Sequence, residues 1–135
     1  MLDASLALAW ALDEAETLYT RAVLAEVLEH VVTVPTVWPL EIVNAALTAA
    51  RRGRIDVDEV PVLIELVRGL DVEVDGQGHL VAFDDVADLA RRHGLTSYDA
   101  AYLELALRRE TPLATVDAGL ARAARAAGIA LFLQD

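Results

Sequence analysis

Short apolar, β-branched runs alternate with longer amphipathic stretches along this chain. Residues 31–34, 72–74, 113–116 and 129–132 read as strands. None alternates in and out, the pattern of strands covered on both faces in a parallel sheet. Residues 1–3 read as the end of a further, very short strand. Helical periodicity marks residues 4–12, 16–29, 36–52, 58–68, 79–93, 98–109 and 118–127. Punctuation supports several of these: Gly53, Gly94 and Gly128 stand where helices should stop. Asp58 as N-cap leaves Pro61 in a first turn, where proline is tolerated. Asp84, Asp85, Asp88, Arg91 and Arg92 form a solvated face with acids early and bases late, which suits the helix dipole. The alternation predicts an α/β fold, a three-layer α/β/α sandwich around a mostly parallel sheet of four to five strands, in one domain over residues 1–135.

The helix at 36–52 is apolar nearly all round, and such a helix is expected to be buried. Its polar residues, Glu41, Asn44 and Thr48, fall on one narrow stripe. A carboxylate in that setting must be paired or must ligate something.

Composition narrows the chemistry. The 135 residues include no cysteine, which removes disulfide scaffolds, thiol nucleophiles and thiolate metal sites. All 11 basic residues are arginine. Without lysine there is no Walker phosphate loop and no Schiff-base chemistry. No stretch reaches the roughly 18 apolar residues of a membrane span. The apolar run at 6–12 lacks the basic flank of a signal peptide and ends at Asp13 and Glu14. A cytoplasmic protein with no membrane contact is the expectation. The net charge of −11 sits uneasily with a nucleic-acid partner, because phosphate binding relies on basic surface.

Ligands of open α/β sheets bind beyond the carboxyl ends of the strands. Four acids fall at or near such places: Asp3, Glu41, Asp99 and Asp117. Each has an ordinary alternative. Asp3 and Asp117 could cap the helices that follow them, Asp99 could share a capping box with Thr96, and Glu41 could face solvent. Converged at one sheet edge they would repel strongly, with a like pair 4 Å apart costing roughly 4 kcal/mol at an effective dielectric near 20. A hard divalent cation, Mg²⁺ or Mn²⁺, would relieve that, and would bring metal-assisted phosphodiester hydrolysis within reach.

Four segments carry a family resemblance: 3–5 (Asp-Ala-Ser), 39–44 (Pro-Leu-Glu-Ile-Val-Asn), 95–103 (Leu-Thr-Ser-Tyr-Asp-Ala-Ala-Tyr-Leu) and 113–117 (Leu-Ala-Thr-Val-Asp). In order and spacing they resemble the PIN-domain ribonucleases, in particular the VapC-like toxins of type II toxin–antitoxin modules. The resemblance implies an acidic quartet of Asp3, Glu41, Asp99 and Asp117 holding Mg²⁺ or Mn²⁺. It implies supporting roles for Ser5, Thr115 and Asn44, endonucleolytic cleavage of RNA, inhibition by a VapB-like antitoxin, and a homodimer. One departure is that only Met1 and Leu2 precede the first Asp, where the family has several strand residues.

Other readings compete. A receiver domain wants a lysine after a late strand, and a haloacid-dehalogenase-like phosphohydrolase wants a second Asp where Ser5 stands. A catalytically silent module would use the acids only to bind a basic partner. Tyr98 and Tyr102 share a helix face and could flank the site, although packing is the expected role.

Overall fold

The computed structural model of the protein describes residues 1–12 and 17–134. Among these, seven α-helices and two strands follow in the order α1 (Ala4–Ala11), α2 (Leu18–Glu29), β1 (Val32–Val34), α3 (Trp38–Arg51), α4 (Glu59–Arg68), β2 (Val72–Val74), α5 (Ala87–His93), α6 (Ser97–Arg108) and α7 (Ala118–Ala126).

Local chemistry sets most boundaries. α2 begins at a reciprocal cap, where the Thr17 hydroxyl accepts from Thr20 N–H (3.1 Å) and the Thr20 hydroxyl accepts from Thr17 N–H (2.9 Å). The expected start at Glu16 lies outside the described residues. At α4, Asp58 occupies the N-cap position without a side-chain cap bond. The capping falls instead to Asp56, whose Oδ1 accepts from Asp58 N–H (3.1 Å) while Glu59 Oε2 accepts from Asp56 N–H (2.7 Å).

The helix expected over 79–93 is broken. Gly78–Leu80 forms a 3₁₀ turn and Ala82–Val86 a π-helical turn, and regular α-helix starts only at Ala87. Val86 N–H bonds to Val81 O at 3.1 Å, the wider register of a π turn. Gly94 then ends α5 with φ +64, a conformation that favours glycine.

The regular sheet is two-stranded. β1 and β2 run parallel, with Val32, Thr33 and Val34 opposite Val72, Glu73 and Val74. The other expected strands contribute isolated parallel bridges, Leu2 with Ala114 and Leu113 with Leu131. Leu2 N–H also reaches Thr33 O at 3.4 Å. The mostly parallel four- to five-stranded sheet is therefore not formed as a continuous ladder among the described residues. Residues 113–114 make two backbone bonds to residues 1–3 and two to residues 130–132, so each of these pairings is a single bridge.

Burial on both faces also fails at the edge. Glu73 and Val74 are exposed, because among the described residues β2 pairs on one side only. The expectation of a fully buried α3 is corrected too. Trp38, Ile42, Ala46 and Ala49 form one buried face, while Leu40 is 71% exposed, and Val43 and Leu47 are exposed as well. α3 packs mainly on α1 and α4, which cover one side of it. Apolar composition alone supplies no neighbour for the other side.

One core joins the elements, with Leu2, Leu6, Val23, Val34, Tyr102, Leu103 and Leu113 essentially inaccessible. Each such side chain stabilises the fold by about 1.5–3 kcal/mol relative to exposure. At the rim of this core, Arg108 grips Asp75 with both terminal nitrogens (2.9 and 2.7 Å) and bonds Glu104 through Nε (2.7 Å). Asp75 and Glu104 are buried, so the guanidinium fork ties the end of β2 to α6.

Candidate active site

The four acids occupy corresponding places on four helices. Asp3 and Asp117 are the N-cap residues of α1 and α7, and Glu41 and Asp99 lie in the first turns of α3 and α6. Partial positive charge at helix N-termini favours carboxylates there.

Asp3 is 4% exposed, yet its side chain makes no cap bond to α1. Its Oδ2 instead accepts from the Ser5 hydroxyl (2.5 Å) and from the Thr115 hydroxyl (2.6 Å). Thr115 Oγ1 in turn accepts from Asp117 N–H (3.0 Å), and Ser5 Oγ accepts from Val116 N–H (3.3 Å). Two hydroxyls thus connect the segment entering α1 with the segment entering α7. Burial raises the Asp3 pKa; the two hydroxyls oppose that rise and the Asp117 charge adds to it.

Asp117 does cap α7, through Oδ1 to Leu120 N–H (2.7 Å). Thr96 caps α6 by accepting from Asp99 N–H (3.1 Å), and the return bond of a capping box is not made. Burial, then the charges of Asp117 and Asp3, raise the Asp99 pKa. Glu41 is half-buried, and its Oε1 accepts from the Tyr102 hydroxyl at 3.2 Å. Burial first, then Asp3 and Asp99, push its pKa up to about 7, against the pull of the Tyr102 hydrogen bond.

The charges that shift Asp3, Glu41 and Asp99 are all carboxylates: these three and Asp117. The structure therefore brings the four acids into one electrostatic neighbourhood and brings Ser5 and Thr115 onto Asp3. Asn44 stands one turn beyond Glu41 on α3. Asn44 is exposed on α3 and makes no hydrogen bond to the other six among the described residues.

No three His, Asp or Glu side chains among the described residues form a ready-made metal cage. The donor set nonetheless suits a hard cation, since its oxygens are carboxylates in a field that favours added positive charge.

Tyr102, expected from the sequence to serve packing, bonds a site carboxylate. It is fully buried, while Tyr98, one turn earlier on the same helix and expected to pack, is 60% exposed. The spacing of three between Asp99 and Tyr102 was the available signal. Burial, then the Glu41 and Asp3 charges, drive the phenol pKa far upward, so it stays a proton donor.

Comparison with known proteins places this site in context. No curated protein matches the sequence. The structure is similar to the crystal structure of PAE2754 from Pyrobaculum aerophilum, with a TM-score of 0.66 and 26% identity, covering 90% of this chain and 76% of that one. The sequence matches the PIN domain family over residues 1–126. PIN domains are generally metal-dependent nucleases. With that match spanning nearly its whole length, the chain belongs to the PIN domain family.

Proposed function

We propose that this protein is a metal-dependent endoribonuclease of the VapC-like toxin type, cutting RNA phosphodiesters and held in check by a VapB-like antitoxin. The observation that carries the reading is the joining of acid-bearing helix starts: Ser5 and Thr115 hold Asp3, Thr115 also takes the Asp117 N–H, and Tyr102, one turn beyond Asp99, links Glu41 to the segment after Asp3. Burial and neighbouring carboxylates raise Asp3, Glu41 and Asp99 accordingly. Such a cluster is costly without a cation, and this donor set favours Mg²⁺ or Mn²⁺. Asp3, Glu41, Asp99 and Asp117 would hold one or two ions, and a bound ion supplies an activated water and stabilises the leaving oxygen. Ser5 and Thr115 fix the Asp3 carboxylate in its buried position. Cation binding would favour the ionised form of Glu41, whose pKa is pushed up to about 7, and would release its proton. The acidic surface then needs local positive charge to meet phosphate, which the cation brings to the cleavage point.

The same reading extends to fold and partners. The two isolated bridges and the Leu2–Thr33 hydrogen bond support a five-stranded parallel sheet within an α/β/α sandwich of one domain. An antitoxin segment offering an arginine to the quartet fits the net charge of −11. Phe83, 97% exposed beside an apolar groove of about 540 Å³ formed with Val37, Val86 and Tyr98, suits a homodimer contact. A cytoplasmic setting accords with there being no described helix long and apolar enough to cross a membrane.

The test is incubation with single-stranded and structured RNA in Mg²⁺ or Mn²⁺, with Asp99→Asn as control. Internal cuts that vanish in EDTA and in Asp99→Asn are expected. A wild-type protein without metal-dependent cleavage would remove the nuclease reading in favour of a silent binding module.

A further inference from the structure

We infer that Tyr102 is the positioning residue of the acidic site, its hydroxyl setting the Glu41 carboxylate relative to the segment that carries Asp3. The inference rests on the metal-dependent nuclease reading above.

The Tyr102 oxygen bonds to groups on two other elements. It accepts from Ala4 N–H at 3.4 Å and donates to Glu41 Oε1 at 3.2 Å. Ala4 follows Asp3 directly, and Tyr102 itself stands one turn beyond Asp99 on α6. Three of the four carboxylate-bearing segments therefore meet at one phenol oxygen. The chemistry is directional. A phenol has one proton to give. The Ala4 N–H, one of the unpaired donors at a helix N-terminus, can only donate to the oxygen. The phenolic proton is thereby aimed at Glu41. Holding Oε1 leaves Oε2 as the free oxygen of that side chain.

Packing of the ring alone would not need the hydroxyl, and taking the Ala4 N–H alone would not need its proton aimed at Glu41. The ring is fully buried, and phenylalanine would fill the same space without a polar atom to satisfy. The hydroxyl is tolerated at that depth because both of its bonds are made, and one of them ends on a site carboxylate. Partners that orient metal ligands typically govern affinity about 10- to 100-fold.

The experiment compares wild type, Tyr102→Phe, Glu41→Gln and the double variant. Mn²⁺ affinity is read by titration calorimetry below the melting range of every variant, and the Ala4 amide by hydrogen exchange in metal-free protein. Tyr102→Phe is expected to weaken Mn²⁺ about tenfold and to speed exchange at Ala4, with the α6 amides unchanged. In the Glu41→Gln background the same change should weaken Mn²⁺ no further, because the group it positions is gone. Unchanged Mn²⁺ affinity in Tyr102→Phe, or losses that add in the double variant, would overturn the inference. The exchange measurement separates the two levels. A wild type that neither binds Mn²⁺ nor cuts RNA removes the nuclease reading, and Ala4 exchange unaffected by Tyr102→Phe then removes the positioning role by itself.

Discussion

Thr115 donates its hydroxyl to Asp3 Oδ2 at 2.6 Å across 112 residues of chain, and both side chains are buried. The bond is shielded from water, so losing the donor leaves a desolvated carboxylate with less support. Thr115→Val keeps the shape and deletes the hydroxyl. It should destabilise the metal-free protein at neutral pH by about 1–3 kcal/mol, read by urea unfolding. Asp3→Asn in the same background should recover part of the loss, because a neutral side chain costs less to bury. A Thr115→Val protein as stable as wild type would show that the pair contributes nothing net.

The pH dependence follows from the direction of the shifts. Glu41 titrates at about 7 in the folded protein against an ordinary value of 4.5. Between those values the native state binds more protons than the unfolded state, so stability falls as pH rises. Asp3 and Asp99 are raised as well and act in the same direction. Their contribution is complete below the ordinary carboxylate range and is lost as pH passes the folded values. The Glu41 part is on the order of 2–3 kcal/mol. Asp75, lowered mainly by its hydrogen bonds to Arg108, acts oppositely and below 3.8, outside this window. Urea unfolding in EDTA should therefore show the wild type losing stability from pH 5 to 7.5, and Glu41→Gln losing much less. Mn²⁺ should reverse the slope, because it binds the deprotonated form. A flat wild-type profile in EDTA would mean that neither burial nor the neighbouring carboxylates raise Glu41.

What could be read from the sequence follows from which signals are local. α2, α4, α6 and α7 lie within two residues of expectation, because caps, glycines and apolar spacing sit inside each element. The interrupted stretch before α5 was not legible, since the spacing of three from Val86 to Leu89 fits an α-helix and the wider turn back to Val81 has no glycine or proline to mark it. The exposed side of α3 was not legible either, because burial depends on which neighbours arrive and not on composition. The acidic residues stood out by their place after strands and at helix starts, and by resemblance. Tyr102 did not, because a buried tyrosine that directs its proton looks in sequence like any core aromatic. The Arg108–Asp75 pair joins residues 33 apart and carries no pattern at all.

That pair yields a stability prediction of its own. Asp75 is 2% exposed and Glu104 5%, and Arg108 bonds both. Arg108→Met removes the only bond partner of the buried Glu104 carboxylate among the described residues and leaves Asp75 with only the more distant Arg109 (3.6 Å) and the Gln77 N–H. Breaking a buried pair from one side costs about 3–5 kcal/mol. Arg108→Lys should rescue little, because a single ammonium cannot reproduce the two-pronged contact with Asp75. Chemical unfolding of both variants checks this. Metal-dependent cleavage at low temperature should survive in Arg108→Met, since no bond from Arg108 reaches the acidic site among the described residues. Stability within 1 kcal/mol of wild type would show that solvent screens the pair despite its burial.

Phe83 tests the assembly. Its ring is 97% exposed on the π-helical turn and lines an apolar groove with Val37, Val86 and Tyr98, and contiguous apolar patches, unlike single exposed residues, mark contact surfaces. Phe83→Ser removes apolar area without touching the core, so the monomer fold should change in stability by no more than about 0.5 kcal/mol. Sedimentation velocity at micromolar concentration should show wild type as a dimer and Phe83→Ser shifted toward monomer. An aromatic anchor at the centre of an interface weakens association by about 2 kcal/mol or more when truncated. The groove beside it, with Val37, Val86 and Tyr98, gives a paired control. Tyr98→Ser should weaken the dimer too, because Phe83 of one copy is expected to meet this groove on the other. Dissociation by Phe83→Ser but not by Tyr98→Ser would place the ring against a different surface. A wild-type monomer at these concentrations would remove the dimer reading and leave Phe83 free for another partner.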